Sequence, residues 1–159
     1  LTHQERWMKG TTKLWLTLIA VALGVLIGFS GFTFVYAEGG SYLSDDPAAC
    51  INCHVMQPQY DRWSRSSHAS AATCNDCHAP HDSYIAKYQS KAINGLNHSL
   101  AFTTGQFPDE IQITESNKLI LEASCRHCHA DYADTVDSVH TGGEAMSCIR
   151  CHRSVGHGL

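Results

Sequence analysis

The sequence lacks any cysteine outside four short motifs. All eight cysteines fall into pairs separated by two residues, and a histidine directly follows each pair. No cysteine is left over, and zinc sites built on such pairs do not require a histidine after every pair. The chain also lacks an excess of basic residues, since its formal net charge is −4. That balance gives no support for nucleic-acid binding.

A second absence is the lack of charge in residues 14–36. At 1.5 Å per residue this stretch would span about 35 Å as a helix, enough to cross a bilayer core. A cleaved signal peptide is the alternative, but the apolar stretch is too long for one. The basic bias before the stretch, from Arg6, Lys9 and Lys13, predicts a cytoplasmic N-terminus.

Together with the haem attachment motifs described next, these features predict three segments in a bacterial inner-membrane protein. Residues 1–13 are expected in the cytoplasm, residues 14–36 form an uncleaved transmembrane anchor, and residues 37–159 form a domain in the periplasm. Membrane lipid is therefore one expected partner.

The motif C-x-x-C-H is the signature of covalent haem c attachment. Two thiols form thioethers with the porphyrin, and the adjacent imidazole is held beneath the iron. The four units predict four haem c groups in an oxidising compartment. They consist of Cys50, Cys53 and His54; Cys74, Cys77 and His78; Cys125, Cys128 and His129; and Cys148, Cys151 and His152.

Four haems leave little room for a conventional core in a domain of about 120 residues. We expect a mainly α, loop-rich multihaem domain with little or no sheet. The motifs recur at similar spacings, which suggests two-haem modules at about 50–81 and 125–157. A helix-containing segment, 82–124, joins them.

Residues 84–102 are predicted to form a helix that carries a polar stripe. Lys87, Lys91, Asn94 and His98 fall within an arc of about 60° on one face. Such a stripe is commonly a solvated face. Beside a membrane, however, lysine and histidine together could also serve quinol chemistry.

Each haem iron has a second axial position to fill. His3 is excluded as an axial ligand because it is expected on the cytoplasmic side of the membrane. Backbone geometry argues against ligation by His127, which lies inside the third motif. Five further histidines remain for four positions: His68, His81, His98, His140 and His157. Methionine also ligates haem in cytochromes c, so Met56 competes with His54 at the first site, and His81 stays unassigned.

Several stretches resemble a known family. The segments "SYLSDDPAACINCHVMQPQY", "SSHA", "CNDCHAPH", "SKAINGLNHSLAFTTG" and "CHRSVGHG" are similar to the NrfH family, the small subunits of cytochrome c nitrite reductase. That family belongs to the NapC/NirT group of membrane-anchored tetrahaem quinol dehydrogenases. The resemblance covers essentially the whole chain.

The resemblance implies an iron-ligand set. Met56 would be the proximal ligand of haem 1, His54 would not coordinate, and the opposite face would be open. His78, His129 and His152 would be proximal ligands of haems 2, 3 and 4. The resemblance pairs His157 with haem 3 and His68 with haem 4. For haem 2 it leaves two ligands open, namely a lysine of the catalytic partner or His140.

The resemblance also implies a function, the oxidation of menaquinol and electron transfer to the catalytic multihaem subunit of a nitrite reductase. Lys91 matches the family's quinol-site lysine. His98 stands where some members have a carboxylate and is the expected proton acceptor. The nitrite-reducing site itself, with its CxxCK motif, is absent from this chain.

Three alternatives remain open. The chain could be a general quinol dehydrogenase that feeds a nitrate or trimethylamine N-oxide reductase. It could be a passive anchored electron carrier without a quinol site. It could also be a terminal reductase, which the missing CxxCK motif disfavours.

Overall fold

A computed structural model of the chain describes residues 3–140 and 145–158. Within these ranges the secondary structure is helical and contains no strand, so the predicted mainly α, loop-rich fold is confirmed. Predictions for residues 1–2, 141–144 and 159, which fall in the N-terminal segment and the second module, lie outside the described residues. The α-helices are α1 (His3–Tyr36), α2 (Gln57–Trp63), α3 (Cys74–His78), α4 (Tyr84–Thr104), α5 (Glu115–Cys128) and α6 (Ala130–His140).

The chain divides into two compact units, one up to Gly40 and one from Ser41. Helix α1 dominates the first unit, and its apolar side chains are exposed, as at Ile27 and Phe29. In the described part of the chain, Lys9–Tyr36 is long and apolar enough to cross a membrane. A helix that is apolar all round requires an apolar surrounding. The predicted span 14–36 lies inside this segment.

The second unit contains the predicted central helix as α4. The Ser83 side chain accepts a hydrogen bond from the Ala86 amide and so caps the helix start. Gly105 ends the helix at φ 66°, a left-handed conformation that glycine adopts without a Cβ clash. The sequence prediction of 84–102 therefore placed this helix correctly to within two residues.

The haem attachment motifs lie on two kinds of local structure. The second motif forms α3, which begins with a capping box between Thr73 and Asp76, and the third motif occupies the last turn of α5. Short 3-10 helices carry the first and fourth motifs, at Pro47–Asn52 and Cys148–Arg150. Because α3 packs against α5, the second and third motifs lie side by side.

Polar contacts fix the fourth motif to the long helices. Glu122 on α5 accepts hydrogen bonds from the Ser147 hydroxyl and from the backbone amides of Cys148 (2.8 Å) and Ile149 (3.4 Å). These contacts hold the start of the motif on α5.

A second clamp joins α5 and α6 just before that motif. Arg126 forms an ion pair with Asp137 and donates a hydrogen bond to the Met146 carbonyl at 2.6 Å. The other carboxylate oxygen of Asp137 accepts from the Met146 amide at 2.8 Å. The backbone N–H and the backbone carbonyl of Met146 thereby both have hydrogen-bond partners.

A reciprocal amide pair joins α4 to α5. Asn94 donates to the Asn117 side-chain oxygen at 3.3 Å, and Asn117 donates to the Asn94 oxygen at 3.0 Å. Two parallel bonds between the same two side chains fix both the separation and the rotation of the helices.

Aliphatic side chains do not form a packed core in the described part of the second unit. Ala79 is the buried apolar residue there, whereas Lys91, Ser124 and Asp137 are buried polar residues. A unit of this size normally buries many large apolar side chains. Its apolar bulk must therefore come from another source.

Candidate functional site: haem attachment motifs and a polar cluster on α4

Neighbouring motifs approach each other through their cysteine thiols. Cys50 and Cys74 are hydrogen-bonded to each other, and this contact, together with the charge of Lys91, lowers the pKa of Cys50 to about 7. The same contact raises the pKa of Cys74. Cys125 and Cys148 make a further thiol contact. The first motif thus adjoins the second, and the third adjoins the fourth.

The residues present fit covalently bound haem. All eight cysteines are free thiols, and each pair precedes an imidazole that can ligate iron. A porphyrin would also supply the apolar bulk that the second unit lacks among its side chains. Paired thiols that can form thioethers with the porphyrin, followed by an imidazole that can ligate the iron, are the set that c-type haem uses.

One pair of imidazoles joins the second motif to the C-terminal segment. The rings of His78 and His157 have centroids 6.0 Å apart. Two imidazoles that share one metal ion have about this separation, because each nitrogen binds at about 2 Å and the ring centre lies little more than an ångström further out.

The protonation of this pair also suits metal binding. Nδ1 of His157 donates to the Gln59 carbonyl at 3.1 Å, which leaves Nε2 as the ligating nitrogen. Part of the His78 side chain remains exposed, but desolvation by the surrounding protein, followed by the nearby His157, lowers its pKa to about 4. His78 is therefore neutral at neutral pH, as a metal ligand must be.

A second pair of imidazoles consists of His68 and His129. Their ring centroids are 6.1 Å apart, and the rings are nearly perpendicular. Nδ1 of His68 is hydrogen-bonded to the Ser67 hydroxyl at 3.3 Å, which again leaves Nε2 available. The indole of Trp63 donates to the Ala72 carbonyl at 3.0 Å and closes the loop that carries His68.

The structure thus brings together pairs other than those that the resemblance implied. It places His157 against His78 of the second motif and His68 against His129 of the third. His152 of the fourth motif and His140 at the end of α6 are exposed, as are His78 and His129.

A cleft of about 680 Å³ lies beside His157. Its lining includes the side chains of Arg62 and Arg65 and the hydroxyl residues Ser66, Ser67 and Ser154. Guanidinium groups bind carboxylates through paired hydrogen bonds. This lining is chemically suited to the carboxylates of a haem.

His81, which the sequence left unassigned, lies outside these pairs. Its Nε2 donates to the Asp76 carbonyl at 2.8 Å. Its ring stacks on His127 at a centroid distance of 4.4 Å and an angle of 8°. Parallel rings this close leave no room for a metal ion between them. This geometry indicates a structural contact between the second and third motifs.

The two candidate ligands of the first motif differ in exposure. His54 is exposed, whereas the Met56 side chain is half-buried. The Met56 amide donates to the Cys53 carbonyl at 2.8 Å, which closes a tight turn directly after the cysteine pair.

Lys87, Lys91 and His98 of the polar stripe contact the segment that precedes the first motif, whereas Asn94 pairs with α5. Lys91 is only 7% exposed and donates to Asp45 at 2.7 Å and to the Ser44 carbonyl at 2.9 Å. Lys87 donates to the other oxygen of Asp45 at 2.6 Å. The two lysines lower the pKa of Asp45. Lys87 and Lys91 are thus paired rather than solvated, and two of the three N–H groups of Lys91 are already engaged.

His98, at the far end of the stripe, meets a residue that the sequence did not single out. The hydroxyl of Tyr42 lies 2.9 Å from Nδ1 of His98. Burial, and then the nearby thiols of Cys53 and Cys50, raise the pKa of Tyr42 to about 12. Tyr42, Asp45 and the stripe therefore form one cluster beside the first motif, hereafter the α4 cluster.

Tyr42 and Asp45 carried a weak signal in the sequence. Both lie in "SYLSDD", directly before the first motif. Their partners on α4 are 42 to 56 residues away in the chain, so no local spacing reveals the contacts.

An apolar anchor helix, a helical unit without an aliphatic core and four CxxCH motifs together define a membrane-anchored cytochrome of the c type. Residues 9–159 match the model of the NapC/NirT cytochrome c family, N-terminal region. The chain belongs to this family, and its cofactor is covalently bound haem c.

Two curated relatives match most of the chain. "Cytochrome c-type protein NrfH" of Wolinella succinogenes is 41% identical over 152 residues, which cover 90% of this chain and 84% of the relative. "Cytochrome c nitrite reductase subunit NrfH" of Nitratidesulfovibrio vulgaris is 34% identical over 155 residues, 97% of this chain and 90% of the relative. The resemblance to the NrfH family is thereby confirmed.

A solved structure has the same fold. The crystal structure of cytochrome c nitrite reductase NrfHA complex bound to the HQNO inhibitor contains a chain that matches with a TM-score of 0.64. The identity is 33%, and the match covers 90% of each chain. A more distant relative, TorC of Escherichia coli K12, is 28% identical, and the match covers 43% of its length.

Proposed function

We propose that this membrane-anchored electron-transport protein carries four haem c groups and oxidises menaquinol at the periplasmic face of the inner membrane. It passes the electrons to the catalytic subunit of a cytochrome c nitrite reductase. The α4 cluster beside the first motif is the observation that carries the proposal. The NrfH relatives and the HQNO-bound NrfHA structure support the same partner and substrate class.

The haems, when bound, supply the one-electron redox chemistry. The residues of the α4 cluster supply charge and proton acceptance. Lys91 has one N–H left for a quinol oxygen, and its positive charge stabilises a developing quinolate. His98 is partly buried, which lowers the pKa of its imidazole. It is therefore neutral at neutral pH and can accept a proton.

Met56 is the proposed ligand at the first site, and the opposite side is left to the quinol. This choice is the one that the resemblance to the NrfH family implies. The proposed two-histidine sites are His78 with His157 and His68 with His129, in place of the pairing that the resemblance implied.

This assignment changes where an outside ligand is needed. It gives haem 2 a ligand from the chain itself. The second ligand of the iron at His152 is then left to another group. The two groups first considered for haem 2, a lysine of the catalytic partner and His140, become the candidates for this fourth site.

Quinol oxidation by the haem-loaded full chain in liposomes tests the proposal. With a menaquinol analogue as donor, haem reduction is followed by absorbance. We expect Lys91→Gln and His98→Ala each to slow reduction about 100-fold, at the lower end of the effect of a positioned acid or base. Lys118→Gln is the control, because Lys118 forms an exposed pair with Glu115 on α5.

Failure of the native protein to take electrons from the quinol would favour a passive carrier. Co-purification with a reductase other than nitrite reductase would favour the general quinol dehydrogenase.

The histidine pairs have a separate spectroscopic test. Replacing His157 by alanine should remove the two-imidazole signature of haem 2 in electron paramagnetic resonance. Its loss from haem 3 instead would restore the pairing that the resemblance implied.

A further inference from the structure

Tyr42 packs against α4 at a point where the helix has no side chain. A Cβ added at Gly95 would lie 3.2 Å from Cδ1 of Tyr42. This is closer than an ordinary van der Waals contact, so the phenol ring occupies the space that a larger residue would fill. Glycine lowers helix stability, and at this position it makes room for Tyr42.

The Tyr42 hydroxyl binds one nitrogen of His98 and leaves the other. The hydroxyl lies 2.9 Å from Nδ1, and the two ring planes meet at 48°. Any further ligand of the imidazole must therefore use Nε2, and part of the ring is exposed to allow it. The nitrogen that a partner occupies decides which nitrogen can act as the base.

The charged and titratable groups near His98 come from α4 and from the segment that precedes the first motif. On its own helix, Lys87 and Lys91 are both paired with Asp45 of the preceding segment. From that segment Tyr42 is the group that meets the ring. Since the pKa of Tyr42 is raised to about 12, the phenol stays neutral at physiological pH. It therefore does not compete with His98 as a proton acceptor.

We propose that Tyr42 is a positioning residue of the quinol site, which holds the His98 imidazole by Nδ1 so that Nε2 receives the proton of the quinol. This inference rests on the proposed function. In the reactive form the Nδ1–H of His98 donates to the Tyr42 oxygen, and Nε2 carries the lone pair.

Proton transfer breaks the O–H bond of the quinol and forms an N–H bond at Nε2. The bonding electron pair stays on the quinol oxygen. Ferric haem bound at the first motif would accept the two electrons of the quinol one at a time, and Nε2 would accept the second hydroxyl proton after releasing the first to solvent. The Nδ1–H bond to Tyr42 persists in the imidazolium, which then releases its Nε2 proton to solvent.

A double-mutant cycle in the haem-loaded full chain tests this role. Tyr42→Phe keeps the ring and removes the hydroxyl, and we expect it to slow quinol oxidation about tenfold, as for the loss of one hydrogen bond in a reacting geometry. In the His98→Ala background the same change should alter the rate less than twofold. Tyr84→Phe, at an exposed tyrosine of the same helix, should leave the rate unchanged.

Binding of the inhibitor HQNO gives a readout independent of turnover. The pH dependence of its affinity should shift in Tyr42→Phe and stay the same in Tyr84→Phe. An equal effect of Tyr42→Phe in both backgrounds, or an unchanged pH profile, would overturn the positioning role.

Should Tyr42→Phe fail to incorporate haem, Gly95→Ala provides a second perturbation of the same contact in the same cycle. If the native chain neither oxidises quinol nor binds HQNO, the proposed function itself fails. That outcome is distinct from an unchanged variant of an active protein.

Discussion

The two sides of the haem-bearing unit use carboxylates differently. On the side of the fourth motif, Glu122 and Asp137 accept hydrogen bonds from backbone amides and so fix the course of the main chain. On the side of the first motif, Asp45 binds the ammonium groups of Lys87 and Lys91. One side orders a peptide segment, whereas the other positions charged functional groups.

This difference indicates where stability and reactivity reside. Carboxylates that accept hydrogen bonds from backbone amides cannot be replaced without leaving several amides unsatisfied. They therefore contribute strongly to the stability of the fold. Side-chain-directed contacts near the surface contribute less to stability, but they decide which groups can meet a substrate. Mutations on the two sides should therefore separate folding from quinol oxidation.

The largest expected effect on stability is at Glu122. Glu122→Ala removes three hydrogen bonds to a charged acceptor and should lower the free energy of unfolding by about 3 kcal/mol. Urea unfolding of the haem-loaded chain in detergent measures it. Glu115→Ala, in an exposed ion pair with Lys118, should cost less than about 1 kcal/mol. Equal costs would contradict the structural role of Glu122.

Acidification should act on both sides, and more strongly on the side of the fourth motif. The Lys87 and Lys91 contacts lower the pKa of Asp45, and those of Arg126 and the Met146 amide lower the pKa of Asp137. Burial alone would raise the pKa of Glu122, but its hydrogen bonds lower it overall. A carboxyl with a lowered folded-state pKa stabilises the fold above its unfolded pKa, and this contribution is lost as pH falls through the folded value.

Because the pKa of His78 is lowered in the folded state, the unfolding free energy should begin to fall below about pH 6.5, and the carboxyl groups should steepen the fall below about pH 4, near their ordinary pKa values. Urea midpoints measured against pH provide the test. Glu122→Gln should flatten this acid limb more than Asp45→Asn does. The reverse order would contradict the comparison of the two sides.

The smallest effect on stability is expected at Gly95. Alanine there gains up to about 1 kcal/mol of helix propensity but displaces the Tyr42 ring. The unfolding free energy should change by less than about 1 kcal/mol, whereas quinol oxidation should fall about tenfold, as for Tyr42→Phe. Gly40→Ala is the matched control, because nothing lies within 4 Å of the added Cβ. An active Gly95→Ala protein would show that the Tyr42 contact is dispensable.

The sequence predicted the elements whose signals are local. The uncharged stretch, the four motifs and the period of Lys87, Lys91, Asn94 and His98 each lie within a few turns of chain, and α1 and α4 follow from them. The absence of strands in the described residues followed from the demand that haems at the four motifs would place on a short domain.

Other contacts could not be predicted, because they join distant segments. The pairing of His157 with a particular motif depends on how the C-terminal segment packs, and His78 is far from it in sequence. Likewise, the pairing of Asp45 with two lysines, and of Tyr42 with His98, requires the fold that places α4 over the first motif.

The amide pair of Asn94 and Asn117 has a consequence for turnover. Each electron that arrives or departs alters the charge of the surrounding domain by one unit, and ionic contacts respond to such changes. A pair of neutral amides carries no net charge and exerts the same force in every oxidation state. The spacing between α4 and α5 can thus stay constant through repeated cycles.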